Sequence, residues 1–282
     1  MAKNKLVAPV LKWVGGKRQI INEIKKYVPK YSTYYEPFLG GGAVLFELQP
    51  KTAVVNDINA ELISLYEVIK YNIDDLIENL REHEEKNGEA YFYKIREQDR
   101  DKEKFNHLTP IQRAARLIYL NKTCYNGLFR VNKAGQFNTP YGNYKKPNIV
   151  NEYTLRAVHN YFNKAQLNFV CKDFEEVLKD ARKGAFVYLD PPYDPVSDTA
   201  SFTGYDKGGF SRSEQIRLKN ICDMLDKKGV KFLLSNSSTD FIKDLYNNGK
   251  YIIEVIHAKR AINSKADKRG EVDEVLVMNY EL

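Results

Sequence analysis

The run Phe186-Val187-Tyr188-Leu189 ends in Asp190-Pro191-Pro192-Tyr193, placing a carboxylate, two prolines and an aromatic ring directly after an apolar segment. Its β-branched and aromatic content fits a buried strand, and a proline pair lacks the amide donors needed to extend one, so the chain leaves the sheet at Asp190. In open α/β sheets the carboxyl ends of strands face the ligand crevice, where a carboxylate beside a ring makes a reaction site. Each proline holds φ near about −65° and pushes its predecessor toward extended geometry, so the tetrapeptide presets much of its own backbone. The same four residues equally describe an exposed Asp-Pro turn, and the rest of the chain must decide.

Other segments carry chemistry of a compatible kind. Tyr34-Tyr35-Glu36-Pro37-Phe38-Leu39-Gly40-Gly41-Gly42, followed by Ala43-Val44-Leu45-Phe46, reads as strand, glycine loop and helix. Consecutive glycines there allow a tight turn and close passage of a ligand over bare backbone. A second short strand, Ala53-Val54-Val55, ends at Asn56-Asp57, where Rossmann-like folds place an acid on ribose hydroxyls. Either Asp57 or Asn59 could instead cap the helix through Leu62, Leu65, Tyr66 and Ile69. Asp173-Phe174, after the strand Leu167–Val170, could grip an adenine through carboxylate and ring, or simply cap the next helix near 175–179. Trp13-Val14-Gly15-Gly16-Lys17 precedes a helix, so its amides could approach an anion and Lys17 adds a mobile positive charge; alone this is usually a turn.

The elements that must position these groups alternate between strand and helix, as in an α/β fold. Residues 71–120 interrupt that rhythm with charged helical patterning, clearest at Ile111, Ala114, Ala115 and Ile118. From Asn121 to Lys146 the chain is dense in Asn, Gly, Tyr and Pro, a long irregular loop or loose hairpin. Its amides, guanidinium and aromatic wedges are groups that read base edges and fill gaps in a base stack. Asp194–Phe210 reads as a loop able to close over substrate, Ser211–Glu214 opens a helix with a capping box, and Val230–Leu234 is a buried strand before Ser235-Asn236-Ser237-Ser238. Strands near 251–256 and 274–280 close the chain, flanking the basic loop Lys259–Lys265, which suits phosphates or forms a solvated hairpin end.

Composition narrows the partners. The 282 residues suffice for one large α/β domain with an insertion, or for two domains. Lys and Arg number 44 against 37 Asp and Glu, a formal charge of +7. Residues 1–30 hold eight basic side chains against Glu23, and 121–160 hold six against Glu152, two clusters that suit a polyanion. Three widely spaced cysteines favour a reducing, cytoplasmic location over a disulfide framework. Four scattered histidines form no metal motif, so no metal is expected, and no apolar run predicts a secretion signal or membrane span.

Taken in order, these segments resemble the Dam-type DNA adenine-N6 methyltransferases of the α arrangement, including methylases paired with GATC-cutting restriction enzymes. The likeness covers nearly the whole chain and rests on Lys12–Lys17, Glu36–Gly42, Asp57, Tyr125–Arg130, Gly135–Gly142, Asp190–Tyr193 and the 261–276 tail. It implies a Rossmann-like, S-adenosylmethionine-dependent α/β methyltransferase sheet in two parts, 1–62 and 158–282, with a mainly helical target-recognition insertion at 63–157. It implies cofactor contacts from Trp13, Lys17, Glu36, Phe38, Gly40, Gly42, Asp57, Asp173, Phe174 and Asp190, and catalysis at Asp190, Pro191, Pro192 and Tyr193. For DNA it implies base readout by Lys12, Leu128, Arg130 and Pro140, Tyr125 and Asn126 beside the opened stack, and Tyr144 on the backbone. The implied target is the adenine of GATC, in duplex or single-stranded DNA. A GATC-cutting restriction enzyme is the implied functional counterpart, without a stable complex, and no membrane is involved.

On that reading Asp190 and the Pro191 carbonyl each accept one amine hydrogen bond, aiming the nitrogen lone pair at a methyl group, while Tyr193 stacks on a flipped base. Rival readings remain at this stage: methylation of cytosine N4 or of an RNA base, or a DNA-binding protein without catalysis. A Rossmann dehydrogenase is disfavoured, because Gly-x-Gly-x-x-Gly is absent and Tyr125–Tyr144 would be unexplained.

Overall fold

The computed structural model describes residues 3–196, 210–247, 249–259 and 271–282. The central part of the expected closing loop, 197–209, and the basic loop and tail residues 260–270 lie outside them. The chain forms two compact units. The first comprises Met1–Gly16, Gly40–Lys51 and Asn59–Cys171; the second comprises Lys17–Leu39, Thr52–Ile58 and Lys172–Leu282.

Seven strands form among the described residues: β1 (Thr33–Glu36), β2 (Thr52–Asn56), β3 (Gln166–Val170), β4 (Ala185–Leu189), β5 (Lys231–Ser237), β6 (Ile252–Lys259) and β7 (Glu271–Met278). β3 belongs to the first unit. The second unit arranges its six in the order β2-β1-β4-β5-β7-β6. β1, β2, β4 and β5 are parallel, with Tyr35 opposite both Val54 and Val187. β7 enters antiparallel between β5 and β6. From β1 the chain passes to β2 on one side, and later from β4 to β5 on the other. The sheet direction therefore reverses between β1 and β4, and α/β sheets open their ligand crevice outside the carboxyl ends at such a point.

β4 contains the apolar run Phe186–Leu189, and all five of its residues are buried. A strand covered on both faces reads as a continuous apolar run, which Ala185-Phe186-Val187-Tyr188-Leu189 is. Its order is fixed laterally by Leu189 pairing with Leu234 of β5 and Phe186 with Tyr34 of β1. Beyond Leu189 the prolines end the ladder, as their missing amides require. The expected box at Ser211 forms by half: Ser211 Oγ accepts the Glu214 amide at 3.4 Å, while the Glu214 carboxylate turns to Arg217 at 2.6 Å.

The first unit is mainly helical. Its helices include Ala60–Tyr71, Ile73–Glu85, Glu89–Arg96, Pro110–Thr123 and Glu152–Lys164. Thr109 and Gln112 form a capping box on the helix that Pro110 starts. The core of this unit stacks Tyr66 on Phe169, with centroids 6.0 Å apart, and Phe46 on Phe162 at 5.9 Å. Residues 121–123 finish the helix Pro110–Thr123, and residues 124–146 form the loose hairpin, held by isolated bridges at Cys124–Tyr141 and Val131–Phe137.

The glycine loop shows why side chains are excluded there. Gly40 and Gly42 have φ of 48° and 67°, and Gly42 caps the helix Ala43–Leu48. A Cβ on Gly42 would lie 2.9 Å from the buried Phe46 ring. Gly42→Ala should therefore lower stability by roughly 1–2 kcal/mol from left-handed strain alone, with the ring clash added. Denaturant unfolding checks this; an unchanged midpoint would contradict it.

Candidate active site and nucleic-acid interface

In the second unit, the carboxyl ends of β1, β2 and β4 collect the acids seen in the sequence. Asp190 follows β4, and its Oδ1 lies 2.8 Å from Lys17 Nζ and 3.0 Å from Ser235 Oγ. Lys17 also sits over the Tyr193 ring, 4.3 Å from its centroid. The lysine is buried and ion-paired, which corrects its expected mobility: a charge this enclosed is held by its carboxylate and ring together. Tyr193 donates its hydroxyl proton to Glu274 Oε2 at 2.8 Å. Burial pushes the Asp190 carboxyl above the usual carboxylate range, while Lys17 and Ser235 pull it back down.

The two proline carbonyls differ. Gln215 Nε2 donates to Pro192 O at 2.9 Å, whereas no donor among the described residues reaches the Pro191 carbonyl. Asn236 completes the support, accepting the Asp194 amide at 3.1 Å and donating to Gln215 Oε1 at 3.1 Å. Asp194 is buried and takes Thr239 Oγ1 at 2.8 Å and Arg212 Nε at 3.1 Å.

Around β1 and β2, Asn56 donates to Pro37 O at 2.9 Å and Lys172 O at 3.0 Å, and accepts the Lys172 amide at 2.8 Å. One side chain thus fixes the exits that carry Phe38 and Asp173. The Phe38 and Phe174 rings lie 5.3 Å apart, with Phe210 at 5.7 Å from Phe38. Glu36 is buried and accepts the Tyr34 hydroxyl at 2.8 Å. Asp57 is buried at the end of β2, and Asn59 takes the capping role left open between them, accepting the Glu61 and Leu62 amides. Asp173 does cap its helix, accepting the Glu175 amide at 2.9 Å. It is also gripped by Arg217 at 2.7 and 3.0 Å. Burial alone would raise this carboxyl, but Arg217 and the Glu175 amide hold it below the usual range. Ser235, Asn236, Gln215, Arg217, Phe210 and Glu274 were not singled out as site residues by sequence. For Ser235 and Asn236 the local signal is the run of small polar residues that ends the apolar β5; Phe210 closes the expected loop, and Gln215, Arg217 and Glu274 carry no local signal.

In the first unit, the Trp13 side chain lies against the glycine loop: a Cβ on Gly40 would stand 2.9 Å from Trp13 Cδ1, and one on Gly41 3.0 Å from Trp13 Cβ. Tyr66 donates to Gly40 O at 2.8 Å, holding that loop in place. Bare backbone is therefore required there by the Trp13 side chain itself. Trp13 stacks on Phe129 at 4.7 Å.

The predicted DNA contacts gather at the end of helix Pro110–Thr123. Buried Asn121 accepts the Lys12 amide at 2.9 Å and donates to Lys12 O at 2.8 Å and Gly127 O at 3.0 Å. Tyr125 N donates to Pro140 O at 2.9 Å. Lys12, Tyr125, Asn126, Leu128, Arg130, Pro140 and Tyr144 are all exposed. Asn126 adopts φ 55°, a left-handed conformation that asparagine tolerates better than most. Arg130 is braced by Asn138, its Nε donating to Oδ1 at 2.7 Å and Nη2 to the carbonyl at 3.2 Å. Beneath it, Asp99 accepts the Phe137 amide at 2.8 Å and Arg100 donates to Phe137 O at 2.6 Å. Burial pushes the Cys124 thiol up to about 12, so it is no nucleophile near neutrality. Among the described residues no group of three or more His, Cys, Asp or Glu is placed to hold a metal ion, and no helix is long and apolar enough to cross a membrane.

A parallel sheet with one antiparallel strand, an acid at each of three strand ends and a glycine loop after β1 define a mixed α/β methyltransferase-type fold. Residues 13–262 match the model of the D12 class N6 adenine-specific DNA methyltransferases, and the chain belongs to that family. It is a DNA adenine-N6 methyltransferase using S-adenosylmethionine as methyl donor. Among particular relatives, it is 43% identical over 282 residues to type II methyltransferase M1.LlaDCHI of Lactococcus lactis subsp. cremoris, covering 99% of this chain and 98% of the relative. It is 44% identical to type II methyltransferase M.MjaIII of Methanocaldococcus jannaschii, covering 97% and 99%. It is 36% identical to the DNA adenine methylase of Serratia marcescens, covering 95% and 97%.

Removing Lys17 leaves the Asp190 carboxylate enclosed without its cation, a change of roughly 3–5 kcal/mol for a buried pair. Lys17→Met should be destabilised most at pH 8. Its Asp190 pKa in the folded state then lies further above the unfolded value, so the folded state binds a proton preferentially and the loss shrinks as pH falls through that raised pKa. Denaturant unfolding at pH 5 and pH 8 checks the sign; equal losses at both would refute it.

Proposed function

We propose that Asp190 and the Pro191 carbonyl hold the two amine hydrogens of a flipped-out adenine. The supporting observation is the asymmetry at the motif: Pro192 O is taken by Gln215, while Pro191 O has no described donor and lies one residue from the carboxylate. An exocyclic amine is a poor nucleophile because its lone pair is delocalised into the ring. Two acceptors draw that nitrogen toward tetrahedral geometry and turn the lone pair out of the ring plane. Tyr193, fixed at its hydroxyl by Glu274, offers a ring face to the base. Lys17 must yield part of that face, and its charge favours the ionised form of Asp190 against the burial that raises its pKa. When bound, S-adenosylmethionine supplies an electrophilic sulfonium methyl. The amine proton leaves to solvent after transfer, so Asp190 need not be a strong base.

For the cofactor, Glu36 and Asp57 suit the polar groups of a nucleoside amino acid, and Phe38 with Phe174 offers apolar faces to an adenine. Asp173 has both oxygens engaged already, so an adenine amine would share it with Arg217. Trp13, Gly40 and Gly42 are assigned from the resemblance and from their mutual close approach. Residues 63–157 form the target-recognition region, where Leu128, Arg130 and Pro140 read bases together with Lys12 from the amino-terminal segment, Tyr125 and Asn126 fill the opened stack, and Tyr144 lies on the backbone. The target is GATC, in a cytoplasmic protein that protects DNA from a restriction enzyme of the same specificity; the type II names of two relatives support that pairing.

Mapping methylated adenines on a plasmid library tests base, atom and context together, and methylation outside GATC would refute the sequence assignment. Asp190→Ala should abolish methyl transfer while DNA binding persists; retained activity would sink the catalytic assignment. Arg130→Ala should relax discrimination at one base pair by about 1–3 kcal/mol if its guanidinium reads guanine. A uniform loss over all sequences with a shallower salt slope would instead make it a phosphate contact.

A further inference from the structure

The polar run Ser235-Asn236-Ser237 closes β5, and all three residues are buried. A buried polar side chain must be hydrogen-bonded, so its partners are informative. Asn236 and Ser237 hold backbone: Asn236 Oδ1 accepts the Asp194 amide at 3.1 Å, and Ser237 Oγ donates to Asp194 O at 2.5 Å. Ser235 holds the reacting carboxylate. Its Oγ stands 3.0 Å from Asp190 Oδ1 and 3.0 Å from the Tyr188 hydroxyl, with Leu189 O a longer alternative at 3.5 Å. An ionised carboxylate only accepts, so the Ser235 proton points to Asp190 and Tyr188 donates in turn to Ser235. The Lys17 ammonium reaches the same oxygen, Oδ1, at 2.8 Å. Among the described residues no hydrogen bond or ion pair reaches Oδ2.

We infer that Ser235, polarised by Tyr188, is a positioning residue that with Lys17 occupies Oδ1 of Asp190 and so presents Oδ2 as the acceptor for the target amine. The inference rests on the catalytic reading of Asp190 given above. A carboxylate free to rotate about χ2 would offer either oxygen at varying angles, and a group aimed at an amine lone pair gains from one fixed orientation. Ser235 acts through Asp190 and does not touch substrate. Among the described residues, the charged and titratable groups facing this carboxylate are Lys17, Tyr188 and Tyr193, with Glu274 on the Tyr193 hydroxyl.

The test compares Ser235→Ala, Ser235→Thr and Asp190→Ala in single-turnover methylation of duplex DNA across pH, with S-adenosylmethionine and DNA affinities measured separately. Losing a hydrogen bond to a charged group should lower the rate constant of Ser235→Ala by about 10- to 100-fold. Both affinities should stay unchanged. Because the serine hydroxyl favours the ionised carboxylate, its removal should move the acid limb of the rate profile to higher pH. Ser235→Thr, which keeps the hydroxyl, should restore both. A wild-type rate and acid limb in Ser235→Ala, with Asp190→Ala inactive, overturns this inference alone. Activity in Asp190→Ala overturns the catalytic reading beneath it. If Ser235→Ala does not fold, Tyr188→Phe and Ser235→Thr carry the test: the first should lower the rate and the second should not, and equal rates refute the relay.

Discussion

A carboxylate that must be ionised, enclosed and correctly aimed is the constraint on which the second unit is built. Burying such a group without a partner is prohibitive, so its surroundings are dictated before any chemistry is considered. Lys17 supplies the counter-charge from a turn ahead of β1, and Ser235 supplies a neutral donor from the end of β5. Both elements must therefore reach the end of β4. Parallel strands on a twisted sheet provide this, because neighbouring carboxyl ends lie at one edge.

The proline pair adds rigidity that contacts alone would not. With φ preset at two successive positions, the chain beyond Asp190 has few conformations to lose. Gln215 and Asn236 then need only hold one carbonyl and one amide to fix the whole turn. The result sorts two adjacent carbonyls, one consumed by the fold and one left open.

The first unit solves a different problem, displaying exposed groups on a hairpin with almost no ladder of its own. Two isolated bridges cannot hold a loop of that length, so side chains substitute for a strand partner. Asp99 and Arg100 take the amide and carbonyl of Phe137, and Asn121 ties Lys12 to Gly127. Arg130 is braced before any DNA is present, so less of its side-chain entropy remains to be lost on contact.

Much of this was legible in the chain. Asp190-Pro191-Pro192-Tyr193 announces a strand end because proline has no amide, and the Gly40–Gly42 run announces bare backbone because only glycine takes those φ values cheaply. These are local properties, carried by a residue and its neighbours. The partners that give them meaning are not local. Nothing in the sequence near Lys17 says that it will be buried against Asp190, and nothing near Ser235 or Glu274 names Asp190 or Tyr193, because those pairs lie far apart along the chain. Between Asp57 and Asn59 the sequence allowed either cap, and packing chose Asn59. Where strands stop and where side chains are forbidden can be read from the residues alone, since both follow from backbone sterics. Which charge neutralises which is settled by the folded chain, because that depends on strand order and register across the sheet.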